Sequence, residues 1–119
     1  MTTTEVANKL VGLCREGRHL EAIDSLYGDD IVSREMPGTP NEVTTGIKSV
    51  FQKSEEWFAN LEELHAGEIS DPTVAGNHFS TKMTMDASFK DGSRVQMDEL
   101  AVYEVRDGKI INEQFFYSM

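Results

Sequence analysis

The sequence has few of the features that mark secreted or membrane proteins. It contains a single cysteine, Cys14, so no internal disulfide can form, and this thiol falls among apolar helical positions. No apolar run approaches the roughly 20 residues that a membrane helix needs. The first residues, MTTTEVANKL, lack the basic segment and apolar core of a secretory signal. We therefore expect a reduced, cytoplasmic protein without a membrane partner.

Basic residues are also scarce. The chain carries 11 Lys and Arg against 21 Asp and Glu, which gives a formal net charge of −10. No basic stripe is present that could displace counterions from a phosphate backbone, so a nucleic-acid partner is not expected. With 119 residues, of which 39% are hydrophobic, the chain is long enough for one domain, residues 1–119, around a single core.

Motifs that hold cofactors or metals are missing. The sequence has no Gly-rich phosphate loop, no nucleophile elbow and no Cys-x-x-Cys pair. Among His65, Glu35, Glu99 and Glu113, no two have the i, i+4 or His-x-His spacing that fixes metal ligands locally. We predict neither a cofactor nor a metal.

Apolar residues recur at helical spacing in the first half. They predict one helix over residues 3–16, with Thr3 or Thr4 as its cap and Gly17 just past its end, and a second short helix that ends at Gly28. A short strand in DDIVSREMPG follows, and a third helix begins at Thr44 or Thr45. The second half alternates between apolar and polar residues, and turns at Asp91-Gly92 and Asp107-Gly108. This order of elements is α+β.

The loop at Asp107-Gly108 decides which side chains of the last strand face inward. A three-residue loop, 106–108, would pair Tyr103 with Ile111. The inner face of the last strand would then consist of Ile111, Glu113, Phe115 and Tyr117. A two-residue loop would instead turn Ile110, Asn112, Gln114 and Phe116 inward. We favour the first because it gathers most of the bulk on one side.

Three stretches together resemble a known family. They are LYGDDIVSREMPG, TTGIKSVF and MDELAVYEVRDGKIINEQFFY, and in this order they are similar to the SnoaL-like branch of the nuclear transport factor 2-like superfamily. The resemblance covers nearly the whole chain. It implies three N-terminal helices packed on a curved, mostly antiparallel sheet that forms a cone with an interior pocket, and usually a homodimer. The fold serves cyclases, isomerases, dehydratases and non-catalytic modules alike.

Carboxylates on otherwise apolar strand faces are the first candidates for chemistry. Glu99 lies between Met97 and Ala101, and desolvation there would raise its pKa and suit it to acid/base work. The alternative for Glu99 is a structural acid satisfied by a tyrosine or a backbone donor. Glu113 is on the neighbouring strand, close enough to share a proton with Glu99. The alternative for Glu113 is exposure to water near the end of the chain.

Glu35 is a candidate through the resemblance. In ketosteroid isomerases of this fold the carboxylate that moves the proton follows the same Asp-Asp step, and Glu35 matches that position when counted from Asp29-Asp30. The partner groups of those enzymes are not matched. Their helix-one tyrosine corresponds to the region NKLVGL, and their protonated aspartate corresponds to Ala101. The alternative for Glu35 is a solvated carboxylate at a loop entrance.

Other side chains complete the predicted pocket. His65 would look inward if odd positions of its strand do so, and would serve as acid, base or donor; a satisfied structural histidine is the alternative. We therefore take Glu35, His65 and Glu99 as candidate catalytic residues. The candidate substrate-binding residues are Trp57, Met83, Met85, Tyr103, Glu113, Phe115 and Tyr117. Two function classes follow: an acid/base cyclase- or isomerase-like enzyme acting on a small hydrophobic ligand, or a non-catalytic binding or dimerisation module.

The opposite face of the last hairpin predicts a partner. If Tyr103 and Phe115 look inward, an apolar band looks outward, and such a band usually marks an interface. Its members are Leu100, Val102, Ile110 and Phe116. We expect a homodimer joined through this convex sheet face.

Overall fold

The computed structural model describes residues 1–118 and has the predicted α+β order. Three helices, α1 (Thr3–Arg15), α2 (His19–Leu26) and α3 (Ile47–Asn60), lie in the first half. The strands are β1 (Tyr27–Arg34), β2 (Val43–Thr45), β3 (Leu61–Ile69), β4 (Thr73–Ala75), β5 (His78–Phe89), β6 (Arg94–Arg106) and β7 (Lys109–Tyr117). The short strands β2 and β4 were not predicted from the sequence. No helix within residues 1–118 combines the length and apolar character needed to cross a bilayer.

Helix α1 begins and ends with local hydrogen bonds. Thr2, rather than the predicted Thr3 or Thr4, is the cap: its hydroxyl accepts from the backbone N–H of Glu5 at 3.1 Å, and the Glu5 carboxylate accepts from the Thr2 N–H at 2.9 Å. Gly17 follows the helix with a φ of 75°, as predicted, and the Arg18 N–H bonds back to the Leu13 carbonyl at 2.9 Å. These contacts fix the helix ends.

The sheet is large, mixed and open. Its strands follow the order β2-β1-β7-β6-β5-β3, and β4 pairs with β5 outside this path. All pairs are antiparallel except β1 with β7, which run parallel. The buried core forms between the helices and one face of the sheet, and includes Val6, Leu10, Leu26, Ile31, Val50 and Phe79. The first strand and the last therefore lie side by side in the middle of the sheet.

The β6–β7 hairpin corrects two predictions. Its turn has two residues rather than three, because Arg106 pairs with Lys109 and both Asp107 and Gly108 have positive φ. A bulge at Ile111 then shifts the register, so Tyr103 pairs with Glu113 and not with Ile111. The extra residue restores the predicted orientation of Glu113.

The shorter turn also changes the predicted outer band, because it pairs Ile110 with Val105 on the inner face of the sheet. Ile110 precedes the bulge and points into the core, where it is fully buried. Its assignment to the outward-facing band was therefore wrong. Leu100 and Phe116 are cross-strand partners and remain 44% and 43% exposed, while Val102 is half-buried.

Candidate functional site

A cavity of about 580 Å³ lies between the helices and the sheet face that they cover. Eight of its lining residues were predicted as site residues from the sequence: Glu35, Trp57, Met83, Met85, Glu99, Tyr103, Glu113 and Phe115. Volumes of roughly 300–1,000 Å³ are typical of small-molecule sites. The cavity thus has the size of a ligand pocket and brings together carboxylates from three separate segments.

Glu99 projects from the middle of β6, opposite Met83 on β5. Burial raises its pKa to about 7, and repulsion from Glu35 and Glu113 acts in the same direction, while Lys53 partly opposes it. A carboxyl group with such a pKa exchanges its proton readily near neutral pH. Glu99 also lines a second, shallower depression of about 460 Å³ at the surface, next to Met36 and Tyr117.

Glu113 is the most buried of the three carboxylates, with 4% of its surface exposed. The Tyr27 hydroxyl donates to its Oε1 at 2.5 Å, and the Ser33 hydroxyl donates to its Oε2 at 3.2 Å. Burial raises the pKa of Glu113 to about 7, although the hydrogen bond from Tyr27 and the charge of Lys53 pull it down. Exposure near the chain end, the alternative weighed from the sequence, does not apply to Glu113.

Lys53 links Glu113 to Glu35. Its Nζ donates to Ser33 Oγ at 3.0 Å and lies 3.9 Å from Glu35 Oε1. The other oxygen of Glu35, Oε2, is buried and has no hydrogen-bond partner among residues 1–118. Burial raises the pKa of Glu35, and Lys53 lowers it. Ser33 thus accepts from Lys53 and donates to Glu113, which forms a continuous polar chain across the cavity wall.

Tyr103 supplies a hydroxyl group within a largely apolar wall. Its ring stacks on Phe79 with centroids 4.7 Å apart and an interplanar angle of 18°. Burial, with the nearby Glu113 charge, raises the pKa of Tyr103 well above its usual value. The phenol therefore stays protonated and can donate a hydrogen bond to a ligand.

His65 does not line this cavity, so its predicted inward orientation is wrong. Strand β3 has a bulge at His65, because Leu64 pairs with Ala87 and Ala66 pairs with the next residue, Asp86. The bulge turns Leu64 toward the cavity. His65 instead contacts Ser88, with Nε2 2.7 Å from Ser88 Oγ, on the other face of the sheet.

Tyr117 also lies apart from the main cavity. It lines the shallow depression beside Met36, Leu100 and Phe116. Among the carboxylates of residues 1–118, Glu99 alone lines both the main cavity and the shallow depression.

Three residues of the polar chain were missed from the sequence: Tyr27, Ser33 and Lys53. Lys53 had a detectable signal, because it lies three residues after Val50 and four before Trp57, on the apolar side of α3. Ser33 follows the buried Ile31 at the strand period. Within residues 1–118, no group of three or more His, Cys, Asp or Glu side chains is arranged to hold a metal ion.

A family model and one solved structure show which family the sequence matches. The sequence matches the profile of the SnoaL-like domain over residues 1–117. A provisionally named SnoaL-like polyketide cyclase from Mesorhizobium loti is 36% identical, with a TM-score of 0.92 over 98% of this chain and 100% of that one. No curated protein matches significantly.

More distant solved structures share the fold. A nuclear transport factor 2-like protein from Burkholderia thailandensis is 13% identical, with a TM-score of 0.84 over 99% of this chain and 92% of that one. A provisionally named isomerase from Bacillus subtilis is 18% identical, with a TM-score of 0.73 over 99% of this chain and 90% of that one. At these identities the likeness concerns architecture alone.

Proposed function

Because the chain belongs to the SnoaL-like domain family, we propose that it is an acid/base catalyst of the cyclase or isomerase type. Its substrate is a small hydrophobic molecule with an acidic C–H next to a carbonyl group. The curved sheet and the helices enclose this molecule in a cone-shaped pocket, which is the cavity described above. The similarity to the Mesorhizobium loti protein supports this reaction class, since that protein carries a cyclase name.

The observation that carries the proposal is Glu99. Its carboxyl group lines the cavity among apolar side chains, and burial raises its pKa to about 7. Near neutral pH such a group is about half ionised, so it can both take a proton from carbon and return it elsewhere. A carboxylate kept only for solubility would be expected in water, with its ordinary pKa.

The neighbouring groups divide the remaining tasks. Burial raises the pKa of Glu35 and Lys53 only partly opposes this, so Glu35 acts as a second group that takes up a proton in the cavity. Tyr103 remains protonated and donates to the oxygen on which negative charge develops. Glu113 is held by Tyr27 and Ser33, and supports the site rather than reacting. The ketosteroid isomerases have a protonated aspartate at the position that corresponds to Ala101. The set of side chains in this cavity therefore differs from theirs.

The apolar wall indicates the kind of substrate. Met83, Met85, Trp57 and Phe115 line the cavity around the carboxylates. Flexible methionine side chains adapt to a ligand of irregular shape, and aromatic rings add a large apolar contact area. A small cyclic or polyketide-like carbonyl compound suits such a wall better than a sugar or nucleotide does.

Deuterium exchange tests the reaction class without knowledge of the natural substrate. We expect the protein to accelerate exchange of the α-hydrogens of 2-tetralone in D₂O, followed by proton NMR. Glu99→Gln keeps the shape and removes the base, so the acceleration should fall by about 100-fold or more. Glu104→Gln, the same change farther along β6, should keep it. Binding of 2-tetralone without any exchange above buffer would favour the non-catalytic binding module.

We also propose that the protein is a homodimer, joined through the outer sheet face. Leu100 and Phe116 are cross-strand partners with more than two fifths of their surface exposed, which supports this proposal. A two-fold contact would bury this self-complementary patch.

The single thiol, Cys14, is buried and free, which is consistent with action in the reducing cytoplasm.

A further inference from the structure

Three side chains on the outer face of the sheet form a line that the proposed function does not use. Glu63 Oε2 lies 2.6 Å from Nδ1 of His65, and Nε2 of the same ring lies 2.7 Å from Ser88 Oγ. Glu63 and Ser88 are cross-strand partners in β3 and β5, and His65 sits in the bulge of β3. The bulge brings the imidazole between the carboxylate and the hydroxyl.

The carboxylate determines the role of each imidazole nitrogen. An ionised carboxylate only accepts hydrogen bonds, so Nδ1 must carry the proton that bonds to Glu63. In the neutral ring, Nε2 is then the acceptor, and the Ser88 hydroxyl donates to it. This is the order of an acid, a histidine and a serine in which the histidine removes the serine proton.

A cationic side chain lies beside the serine. Arg94 is the cross-strand partner of Ser88, and its Nε and Nη2 donate to the two oxygens of Asp86 at 3.0 and 2.9 Å. The Nη1 group makes no hydrogen bond to residues 1–118. Its N–H groups are therefore not used by Asp86, and in the proposal below they donate to an oxyanion that forms at Ser88.

We propose that Ser88 is the nucleophile of a second site, on the outer face of the sheet, that takes acyl groups from small activated esters. The Ser88 oxygen attacks the ester carbonyl and its proton passes to His65 Nε2. The tetrahedral intermediate collapses, the ester C–O bond breaks, and His65 returns the proton to the departing alcohol. Water then attacks the acyl-serine as the same nitrogen removes its proton. The bond to Ser88 Oγ breaks, His65 returns the proton to this oxygen, and the acid is released.

The surroundings limit the substrate to small acyl groups. The site lies on the outer sheet face, at the end of β5 away from the proposed dimer patch at Leu100, and the Glu63 side chain is 65% exposed. The charged side chains of Asp86 and Arg94 lie beside the serine, and a short acyl group suits such surroundings better than a long apolar one. Acetyl esters with good leaving groups fit these conditions.

Two probes test the nucleophile directly. A fluorophosphonate should form a Ser88 adduct that peptide mass spectrometry locates, with loss of fluoride. p-Nitrophenyl acetate should give a burst of p-nitrophenolate equal to the protein concentration. Ser88→Ala should abolish both, and His65→Gln should slow acylation by about 100-fold or more. Ser80→Ala, at another serine of β5 on the same face, should leave both unchanged.

Glu63 is a positioning residue in this proposal. Glu63→Gln should reduce the acylation rate constant by about tenfold or more with little change in KM, because the tautomer is no longer held. Nitrogen-15 NMR should show the protonated Nδ1 of His65 in the unmodified protein and a mixture of tautomers in the variant. Glu99→Gln should leave acylation intact, which separates this site from the cavity.

The proposal is overturned by any of three results. The first is a probe adduct absent from Ser88, and the second is a burst that survives in Ser88→Ala. The third is a folded His65→Gln variant that reacts as fast as the unmodified protein.

Discussion

Asp98 and Glu99 are neighbours on β6, but they lie on opposite faces of the sheet. The Asp98 side chain is 71% exposed, 3.7 Å from Lys82. Glu99 lines the cavity, and burial raises its pKa to about 7. Successive strand residues alternate between faces, so one step along the chain moves a carboxylate from water into an apolar cavity. The chemistry of these two acids therefore depends on the face they occupy, not on the residue type.

The pH dependence of stability should show this contrast most strongly. Glu99 and Glu113 have folded-state pKa values of about 7, above the ordinary value of 4.5, so the folded state binds more protons between these two values. Stability from these groups is fully present below pH 4.5 and is lost as the pH rises through about 7. We expect the free energy of unfolding to fall by a few kcal/mol between pH 5 and 8.5, because a tenfold difference in proton affinity between the folded and unfolded states corresponds to about 1.4 kcal/mol.

Urea denaturation at several pH values measures this loss. Glu99→Gln should flatten the curve, while Asp98→Asn on the outer face should leave its shape unchanged. A free energy of unfolding that rises between pH 5 and 8.5 would contradict the raised pKa values of Glu99 and Glu113.

The hydrogen bonds of Glu113 provide the next largest effect. Tyr27→Phe removes the hydroxyl that donates to Oε1 and leaves a buried carboxyl oxygen without that donor. We expect a loss of about 1–3 kcal/mol in unfolding free energy, measured by denaturation at pH 6. Tyr117→Phe, at the more exposed end of β7, is the matched control and should cost less. An equal loss of unfolding free energy in Tyr27→Phe and Tyr117→Phe would contradict a special contribution from the buried hydrogen bond to Glu113.

The outer face should matter for association rather than for the fold of one chain. Phe116→Asp places a charge in the patch with Leu100 and should weaken the proposed dimer at least about tenfold, or by ~1.4 kcal/mol. Sedimentation at micromolar concentration should show a dimer for the unmodified protein and a monomer for the variant. A monomeric unmodified protein, or a variant that stays dimeric, would refute the interface. Glu104→Gln serves as a control for a change of charge elsewhere on β6.

Lys53 should produce the smallest change. Lys53→Met removes the cation that lowers the pKa of Glu35, Glu99 and Glu113, so the pKa values of these groups should rise further. Carbon-13 NMR of the glutamate carboxyl groups measures this rise. Lys82→Met, beside Asp98 on the outer face, should change the pKa of Glu99 less, although Lys82 shares the shallow depression with Glu99. An equal change in the pKa of Glu99 in both variants would show that charges on the two faces of the sheet influence Glu99 equally.

The sequence was sufficient for the three helices and the long strands, but not for the short strands β2 and β4. Alternation in β5 and β6 and the Asp-Gly turns identified the hairpins, and helical spacing identified α1, α2 and α3. These signals are local, so they can be recognised in a single sequence. The same alternation correctly put Glu99 and Met83 on the cavity side.

The errors occurred where strands contain an extra residue. The bulge at His65 turned this side chain away from the cavity, and the bulge at Ile111 moved the register of Tyr103. The burial of Ile110 has another cause, the two-residue turn, which pairs it with Val105. Bulges depend on neighbouring strands and leave little trace in one strand's own pattern. The burial of Glu113 was not predicted for a related reason, since its donors Tyr27 and Ser33 lie far away in the sequence.

The parallel pairing of β1 with β7 also governs the order in which the molecule can form. Ser33 and Glu113 are cross-strand partners 80 residues apart, so the polar chain closes only when β1 pairs with β7. Closing so long a loop slows folding, because its entropy must be lost before the contacts compensate for it. At roughly 5–20 residues per second, translation leaves α1 and α2 without their sheet for several seconds. We therefore expect the cavity to assemble late in folding, and we expect a nascent chain to be most exposed to aggregation just before that step.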